Sequence, residues 1–351
     1  MPLATQPTHV IRSASLNGYA ELARSLGLNP QTLMRKAGLD VRCLDDPETP
    51  VSVYAVQHLL EASAEAAGIE DFGLQLAHNR RMANLGPLSI VLREEPTARA
   101  ALDTLCRYLR LLNASLLTRI EDHADVVIIR EEFLMERAGS IRQSIELAVG
   151  VMYRILVELL GPTWKPRQVC FSHRPPQNLS THRQLFGRNL EFNSSFNGIV
   201  CSARDLTARL PTVETGMAAY ARRFLDQALS NQRSTTSDTA RQLIMALLPG
   251  GRCTADQVAQ HIGIDRRTLH RHLQAQGTSF STLMQQVRSE FVVRQIRDSD
   301  RSMAVLAELL GFSGSSAFAY WFRQQFGCTV SQWRRDHAQQ AGQTSAAAGN
   351  A

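Results

Sequence analysis

One rhythm occurs twice near the C-terminal end and constrains the fold more than any other feature: a short helix, a glycine, and a second helix. The first copy is "TADQVAQHIGIDRRTLHRHLQAQG", residues 254–277. Thr254 is placed to cap its first helix, and Val258 and Ile262 lie one turn apart on the inner face. Gly263 permits a sharp turn, because a positive φ costs glycine no Cβ clash. Asp265 caps the second helix, Leu269 and Leu273 point inward, and Arg267, His270 and Arg271 point outward. The second copy is "SMAVLAELLGFSGSSAFAYWFRQQFG", residues 302–327, with Leu306 and Leu310 inward, Gly311 at the turn, and Ser313 as the cap of the next helix. Phe318, Phe322 and Phe326 supply that helix's inward stripe.

The two turn glycines are 48 residues apart, and between them "FSTLMQQVRSEFVVRQIRD" reads as a long helix with Leu283, Val287 and Phe291 on one side. A short helix, a turn and a second helix with a polar outer face is the helix-turn-helix pattern. Two such helices held about one DNA turn apart, roughly 34 Å, can enter successive major grooves on one face of a duplex. Residues 240–337 are therefore expected to form an all-α domain that contacts double-stranded DNA.

The same histidines invite a metal reading, but the spacing opposes it. His270 and His272 are two residues apart and diverge by about 200° on a helix, whereas a helical metal pair needs a spacing of three or four. The six cysteines (Cys43, Cys106, Cys170, Cys201, Cys253, Cys328) are scattered with no C-x-x-C pair, so free thiols are expected rather than a zinc ribbon or a disulfide framework. There is no G-x-S-x-G, P-loop, G-x-G-x-x-G after a strand, or H-E-x-x-H. No metal, cofactor or enzymatic activity is expected, and His173 in "FSHRPP" reads as part of a structural turn.

Charge agrees with a polyanionic partner. The 351-residue chain carries a formal net charge of +6, and of its 38 basic residues only Lys36 and Lys165 are lysine. Arginine's planar fork suits phosphates and guanine edges; a GC-rich genome accounts for the same bias without any function. No apolar run reaches membrane-spanning length and the N-terminus lacks an apolar signal core, so a cytoplasmic protein is expected, associated with the nucleoid when bound to DNA.

Upstream the pattern is mixed. Residues 1–14 read as a loose lead-in. "YAELARSLG", "VYAVQHLLEASAEAAG" and "TARAALDTLCRYLRLLN" read as helices, the last starting at Pro96-Thr97. "SLLTRIED" and "ADVVIIREEF" read as a hairpin turning at Asp122-His123. A long apolar helix over 140–160 follows, with Val149, Met152, Tyr153, Leu156 and Leu160 toward the core and an end at Gly161-Pro162. "RQVCFSH", "LEFN" and "NGIVCSA" read as strands and "LSTHRQLFG" as a helix. This is an α+β domain over 15–210. Residues 211–239 are read as a connecting helix (213–230) and a polar linker (230–239), and residues 338–351 as a disordered tail. Met217, Tyr220, Phe224 and Leu225 on the connecting helix serve either core packing or dimerisation. "YAELARSLGLNPQTLMRKAG", residues 19–38, has a third helix–glycine–helix rhythm that would offer Gln31, Arg35 and Lys36 outward, and is read as a hairpin packed on the first domain.

At "IGIDRRTLHRHLQAQG" followed by "LAELLGFSGSSAFAYWFRQQFGCTVSQWRR" the chain resembles the AraC/XylS-type DNA-binding domain. "LGPLSIVLREEPTARAALDTLCRYLRLLN" and "VCFSHRPPQNLSTHRQLFGRNLEFNSSFNGIVCSARDL" are similar, more loosely, to the arabinose-binding-type, non-cupin sensor region of the branch that holds ornithine-utilisation and virulence regulators. The resemblance implies a ligand-responsive transcription regulator that dimerises, contacts RNA polymerase, and activates. Its base-reading positions fall on Arg267, His270 and Arg271 in the first unit and on Ser315, Ser316, Ala319 and Tyr320, beside Ser313, in the second. Arg266, Arg323 and Arg335 are phosphate-contact candidates. Tyr320 stands where the family commonly has arginine, so the first unit is expected to carry most of the specificity. An effector pocket is expected between the sheet and its covering helices, with Tyr108, Arg110, Arg130, His173 and Phe196 as candidate liners. The alternative is a constitutive DNA-binding protein whose N-terminal domain only dimerises.

Overall fold

The computed structural model describes residues 10–133, 140–210, 216–231, 235–248, 253–262, 264–298 and 301–335. They fall into two units, the first ending at residue 231 and the second starting at residue 235.

In chain order the first unit holds β1 (Val10–Arg12), α1 (Tyr19–Ser25), α2 (Pro30–Lys36), β2 (Pro50–Ser52), α3 (Val53–Ala67), α4 (Phe72–His78), α5 (Pro87–Arg93) and α6 (Ala98–Leu112). Then come β3 (Leu116–His123), β4 (Val126–Phe133), α7 (Arg142–Leu160), β5 (Gln168–Cys170), α8 (Ser180–Phe186), β6 (Leu190–Glu191), β7 (Gly198–Ser202), α9 (Ala203–Thr207) and α10 (Met217–Asn231). The five-stranded sheet has the order β3-β4-β7-β5-β6, antiparallel except for β5 with β6. This is the expected α+β architecture.

Three local expectations are corrected. The lead-in is not wholly loose: Val10–Arg12 pairs with Pro50–Ser52 as a small antiparallel ribbon. The hairpin turn lies two residues later than expected, because Asp122 and His123 still pair with Val127 and Val126, and Ala124 takes the positive φ of 46°. The polar stretch read as a linker is helical at both ends: α10 reaches Asn231, and a new helix starts at Thr236 behind a capping box between Thr235 and Asp238.

Two cores hold the unit. One lies between the sheet and α5, α6 and α7, and includes Leu102, Leu105, Tyr108, Ile129, Val149, Met152, Tyr153 and Leu156. The other gathers the N-terminal helices around Tyr19, Met34, Leu59, Leu60 and Phe72. Within it α1 and α2 pack on α4 and α3, which makes the third helix–glycine–helix stretch a structural hairpin; Gln31, Arg35 and Lys36 are exposed on it. Helices α4 and α7 approach closely at glycines: a Cβ at Gly150 would come within 2.5 Å of Ala77 Cβ, and the Gly73 amide donates to Gln143 Oε1 at 2.8 Å. Helix α10 packs on α5 and α6 through Ala218, Ala221 and Leu225, while Met217, Tyr220 and Phe224 are exposed.

The second unit is helical: α11 (Thr236–Leu247), α12 (Ala255–Ile262), α13 (Arg266–Ala275), α14 (Phe280–Asp298), α15 (Met303–Leu309), α16 (Ser315–Phe326) and a further helix from residue 330. Leu283, Val287 and Phe291 of α14 are buried, as are Val258, Leu269, Leu273, Leu306, Leu310, Phe318 and Phe322. Gly263 and the tail after residue 337 lie outside the described residues. The six cysteines are free thiols, and burial pushes Cys106, Cys170 and Cys201 up to about 12. Among the described residues no helix is long and apolar enough to cross a membrane, and no cluster of metal-ligating side chains occurs.

Candidate functional site

The first helix-turn-helix is built by short-range signals. Thr254 and Gln257 form reciprocal bonds at 3.2 Å that start α12. Asp265 Oδ1 accepts from the Thr268 amide at 2.9 Å and starts α13. That contact and the Thr268 hydroxyl hold the Asp265 carboxyl below its ordinary range. Leu269 and Leu273 anchor one side of α13 in the core, which fixes the opposite side outward. Arg267 and Arg271 are exposed there, and His270 between them is half-buried. Arg266 is also exposed and lies 3.2 Å from Asp256 Oδ2 on α12. His272 faces the other way, its Nδ1 3.4 Å from Thr236 Oγ1 of α11.

The second helix-turn-helix is started differently from expectation. Ser302 caps α15, accepting from the Val305 amide. Helix α16, however, is preceded by Gly314 with extended backbone and no side-chain cap, so Ser313 is not the N-cap. Ser313, Ser315, Ser316, Ala319, Tyr320 and Arg323 are all exposed on or beside α16, and Arg335 is exposed on the last helix. Tyr320 is 71% exposed, far more than core packing would leave a tyrosine. The helix is held from behind by Phe318 and Phe322 in an aromatic cluster with Phe312 and Trp321. Arg288 of α14 locks the preceding turn, donating from Nε to Leu310 O at 3.0 Å with its guanidinium 4.4 Å from the Phe312 ring centre. Helix α14 has 19 residues and is about 28 Å long, a spacer of the order of one DNA turn.

The first unit contains a cavity of about 150 Å³. Its walls come from β1, α3, α6, β3, β4 and α7, so it does lie between the sheet and covering helices. The walls are mainly aliphatic, with Arg12, Ser15, Gln57, Arg80, Asn84, Asn113, Thr118, Glu131 and Ser144 as polar members. Glu131 is 1% exposed, and Thr118 Oγ1 lies 3.0 Å from both its carboxyl oxygens. Desolvation raises its pKa to about 8, so the carboxyl is mostly protonated at neutral pH.

None of the five candidate effector liners is among the residues that line this cavity. Tyr108 and Arg110 face α10 instead: Tyr108 Oη donates to Asp226 Oδ1 at 2.6 Å and Arg110 donates to Leu229 O at 3.2 Å. Arg130 pairs with Glu121 at 2.9 Å and its guanidinium stacks 4.7 Å from the Phe196 ring centre. His173 is buried, with Nε2 3.3 Å from Glu146 Oε1, and the same oxygen lies 3.1 Å from His182 Nε2. Burial pushes His173 down to about 4, which leaves its ring neutral at neutral pH. These contacts knit the fold together.

The polar cavity residues had one readable signal in the sequence. In "VVIIREEF" the period-two alternation places Val127, Ile129 and Glu131 on one face, and an acidic residue on the core face of a strand marks a special site. Arg130 is on the opposite face. Gln57, Arg80 and Ser144 come from distant segments with nothing local to link them.

Residues 27–210 match the arabinose-binding N-terminal domain of AraC transcription regulators, and residues 258–336 match a helix-turn-helix domain. The chain is 26% identical over 327 residues to the HTH-type transcriptional regulator VirS of Mycobacterium tuberculosis, covering 93% of this chain and 96% of that protein. It is 22% identical to the ornithine utilization regulator of Pseudomonas aeruginosa, over 90% of this chain and 95% of that protein. The transcriptional regulator CdpR of Pseudomonas aeruginosa aligns with 17% identity and a TM-score of 0.41, covering 87% and 96% of the two chains. With a helix-turn-helix DNA-binding half and a ligand-binding type of N-terminal half, this chain belongs to the AraC family of transcription regulators.

Proposed function

We propose that the chain is a ligand-responsive regulator that reads promoter DNA in successive major grooves with α13 and α16. One observation supports this above the rest. Both second helices are anchored by two buried apolar residues on one side and exposed at the resemblance-derived reading positions on the other, His270 alone being half-buried. Arg267, His270 and Arg271 read base edges; Ser315, Ser316, Ala319 and Tyr320 supply backbone contacts and apolar contact to thymine methyls. Arg266, Arg323 and Arg335 neutralise phosphates, Arg266 after giving up its exposed pair with Asp256.

The ligand acts from the first unit. Its occupancy shifts a population of conformers and thereby promoter affinity or contact with RNA polymerase, with activation as the outcome. A relative named for ornithine utilisation supports response to a small metabolite. The exposed Met217, Tyr220 and Phe224, spaced three and four apart on α10, form the face through which a second copy of the chain pairs. The protein works in the cytoplasm, at the nucleoid.

Footprinting of the full chain on its own upstream DNA, with and without small-molecule extract, tests the reading. An extract-dependent change in occupancy is expected. Occupancy that ignores the extract would favour a constitutive DNA-binding protein instead.

A further inference from the structure

The side chains that line the cavity of the first unit carry a surplus of buried hydrogen-bond donors. Arg12 Nε, Ser15 Oγ, Gln57 Nε2, Arg80 Nε and Ser144 Oγ are buried atoms without a hydrogen-bond partner, and all five side chains line the cavity. Guanidinium and amide nitrogens only donate, and the two hydroxyls donate by rotating. Buried donors are normally satisfied, and each one left open is destabilising. Several lining one chamber of about 150 Å³ point to a guest that accepts.

Arg80 carries the charge. The residue is 5% exposed; Nη1 donates to Ala14 O at 2.8 Å and Nη2 to Ser15 O. Those two main-chain oxygens are its bonded partners among the described residues, and neither is an anion. Burial lowers its pKa to about 10, which leaves the guanidinium charged at neutral pH. A buried cation without an anion is costly, and an anionic guest removes that cost. Arg12, the other lining guanidinium, is committed outward to exposed Glu48.

The acid in the cavity does not compete. Glu131 takes the Thr118 hydroxyl and is mostly protonated at neutral pH, so it neither neutralises Arg80 nor offers a fixed anion to an ammonium group. Asn84 and Asn113 also line the wall, their side-chain oxygens taken by the Arg81 and Ser115 amides, and the rest is hydrocarbon, including Leu60, Leu109, Phe133 and Met152. A chamber of roughly 150 Å³ with such a lining accepts a guest of about benzene size.

We propose that this cavity binds a small apolar monocarboxylate, of the size of hexanoate or benzoate, with its carboxylate taken by the buried donors, Arg80 first, and its hydrocarbon body against the aliphatic wall. The site deepens the reading of the first unit as the ligand-responsive half and rests on it. Acids with a second charged group are excluded by the apolar wall, and amines by the cationic one.

Calorimetric titration of the full-length protein tests it, with hexanoate and benzoate as acids and with hexanol, hexylamine and L-ornithine as comparison probes. Hexanoate binds, and the three comparison probes bind about tenfold more weakly or not at all. Arg80→Gln lowers hexanoate affinity by about tenfold or more. Because that change also frees two main-chain oxygens, Gln57→Leu is the second variant. It lowers hexanoate affinity while leaving the melting temperature of the unliganded protein equal or higher, since it removes a donor that had no partner. A merely structural Gln57 would lower the melting temperature instead. Equal or tighter binding of hexanol, hexylamine or L-ornithine overturns the proposal, as does no heat with either hexanoate or benzoate, or hexanoate affinity unchanged in both variants. DNA binding measured on the same samples separates the two readings. Hexanoate binding that leaves DNA affinity unchanged keeps the carboxylate site and removes the sensor role. A DNA response to cell extract with no carboxylate binding does the reverse.

Discussion

The Tyr108 hydroxyl donates a 2.6 Å hydrogen bond to Asp226, tying α6 to α10. Around it Arg107 pairs with the same carboxylate at 2.9 Å, Arg110 reaches Leu229 O, and Glu95 bridges Thr104 to Arg222 at 2.7 Å on each side. The inner face of α6, through Leu105, Leu109 and Leu112, lines the cavity. One helix therefore touches the cavity on one face and the last helix of the first unit on another. In the proposed function this helix links the ligand to the chain that leads to the DNA-binding unit.

Tyr108→Phe cuts that link with little change in shape. Ligand affinity should stay within about twofold, because the hydroxyl points away from the cavity and distant sites act independently. The ligand-dependent change in DNA affinity should shrink, by about fivefold for a coupling energy near 1 kcal/mol. Paired calorimetry and DNA-binding titrations measure both quantities.

The two reading helices should fail in different ways. Arg271→Ala should cost about 1–3 kcal/mol of discrimination between the preferred and a mismatched duplex. Tyr320→Ala should weaken binding to both duplexes by similar factors. Arg323→Ala should lower affinity across sequences and reduce the slope of log affinity against log salt by about 1. Competition binding at several salt concentrations separates the three, and a larger loss of discrimination for Tyr320→Ala than for Arg271→Ala would reverse the assignment.

Glu131 makes stability depend on pH. Its folded pKa of about 8 lies above the ordinary carboxyl value of 4.5, so between those values the folded state holds a proton that the unfolded state has lost. That difference makes stability fall as pH rises through this window and level off above it. Over the full window the loss is of the order of a few kcal/mol. Glu131→Gln, which keeps a neutral group beside Thr118, should flatten this part of the profile. Urea melts from pH 5 to 9 read the difference.

The apolar stripe on α10 should set the assembly state. Tyr220 is 70% exposed, with Met217 at 52% and Phe224 at 54%. Tyr220→Glu places a charge in that stripe and should shift the sedimentation equilibrium toward monomer without lowering the melting temperature. An unchanged mass distribution would overturn the proposed pairing through α10.

What could be read from the sequence divides along the range of the interactions. The second unit was legible because caps and inward stripes act over three or four residues: Thr254 and Asp265 start helices as expected, and Leu269, Leu273, Phe318 and Phe322 are buried. Ser313 failed as a cap because the extended backbone at Gly314 starts the helix one residue later. The cavity was illegible because Arg12, Gln57, Arg80, Glu131 and Ser144 come from five separate segments. Arg130 looked like a ligand contact from its charge and place near a strand end, yet the pleat turns it toward Glu121 and Phe196 and turns Glu131 inward.

In the proposed function two helices of one chain read duplex DNA together. Selection of preferred sites from a random duplex library, followed by hydroxyl-radical footprinting, tests it most directly. Two protected segments on one face of the duplex are expected, centred about one helical turn apart, with Arg267→Ala/Arg271→Ala erasing one and Tyr320→Ala weakening the other. A single protected segment, or a pattern indifferent to these substitutions, would contradict the account.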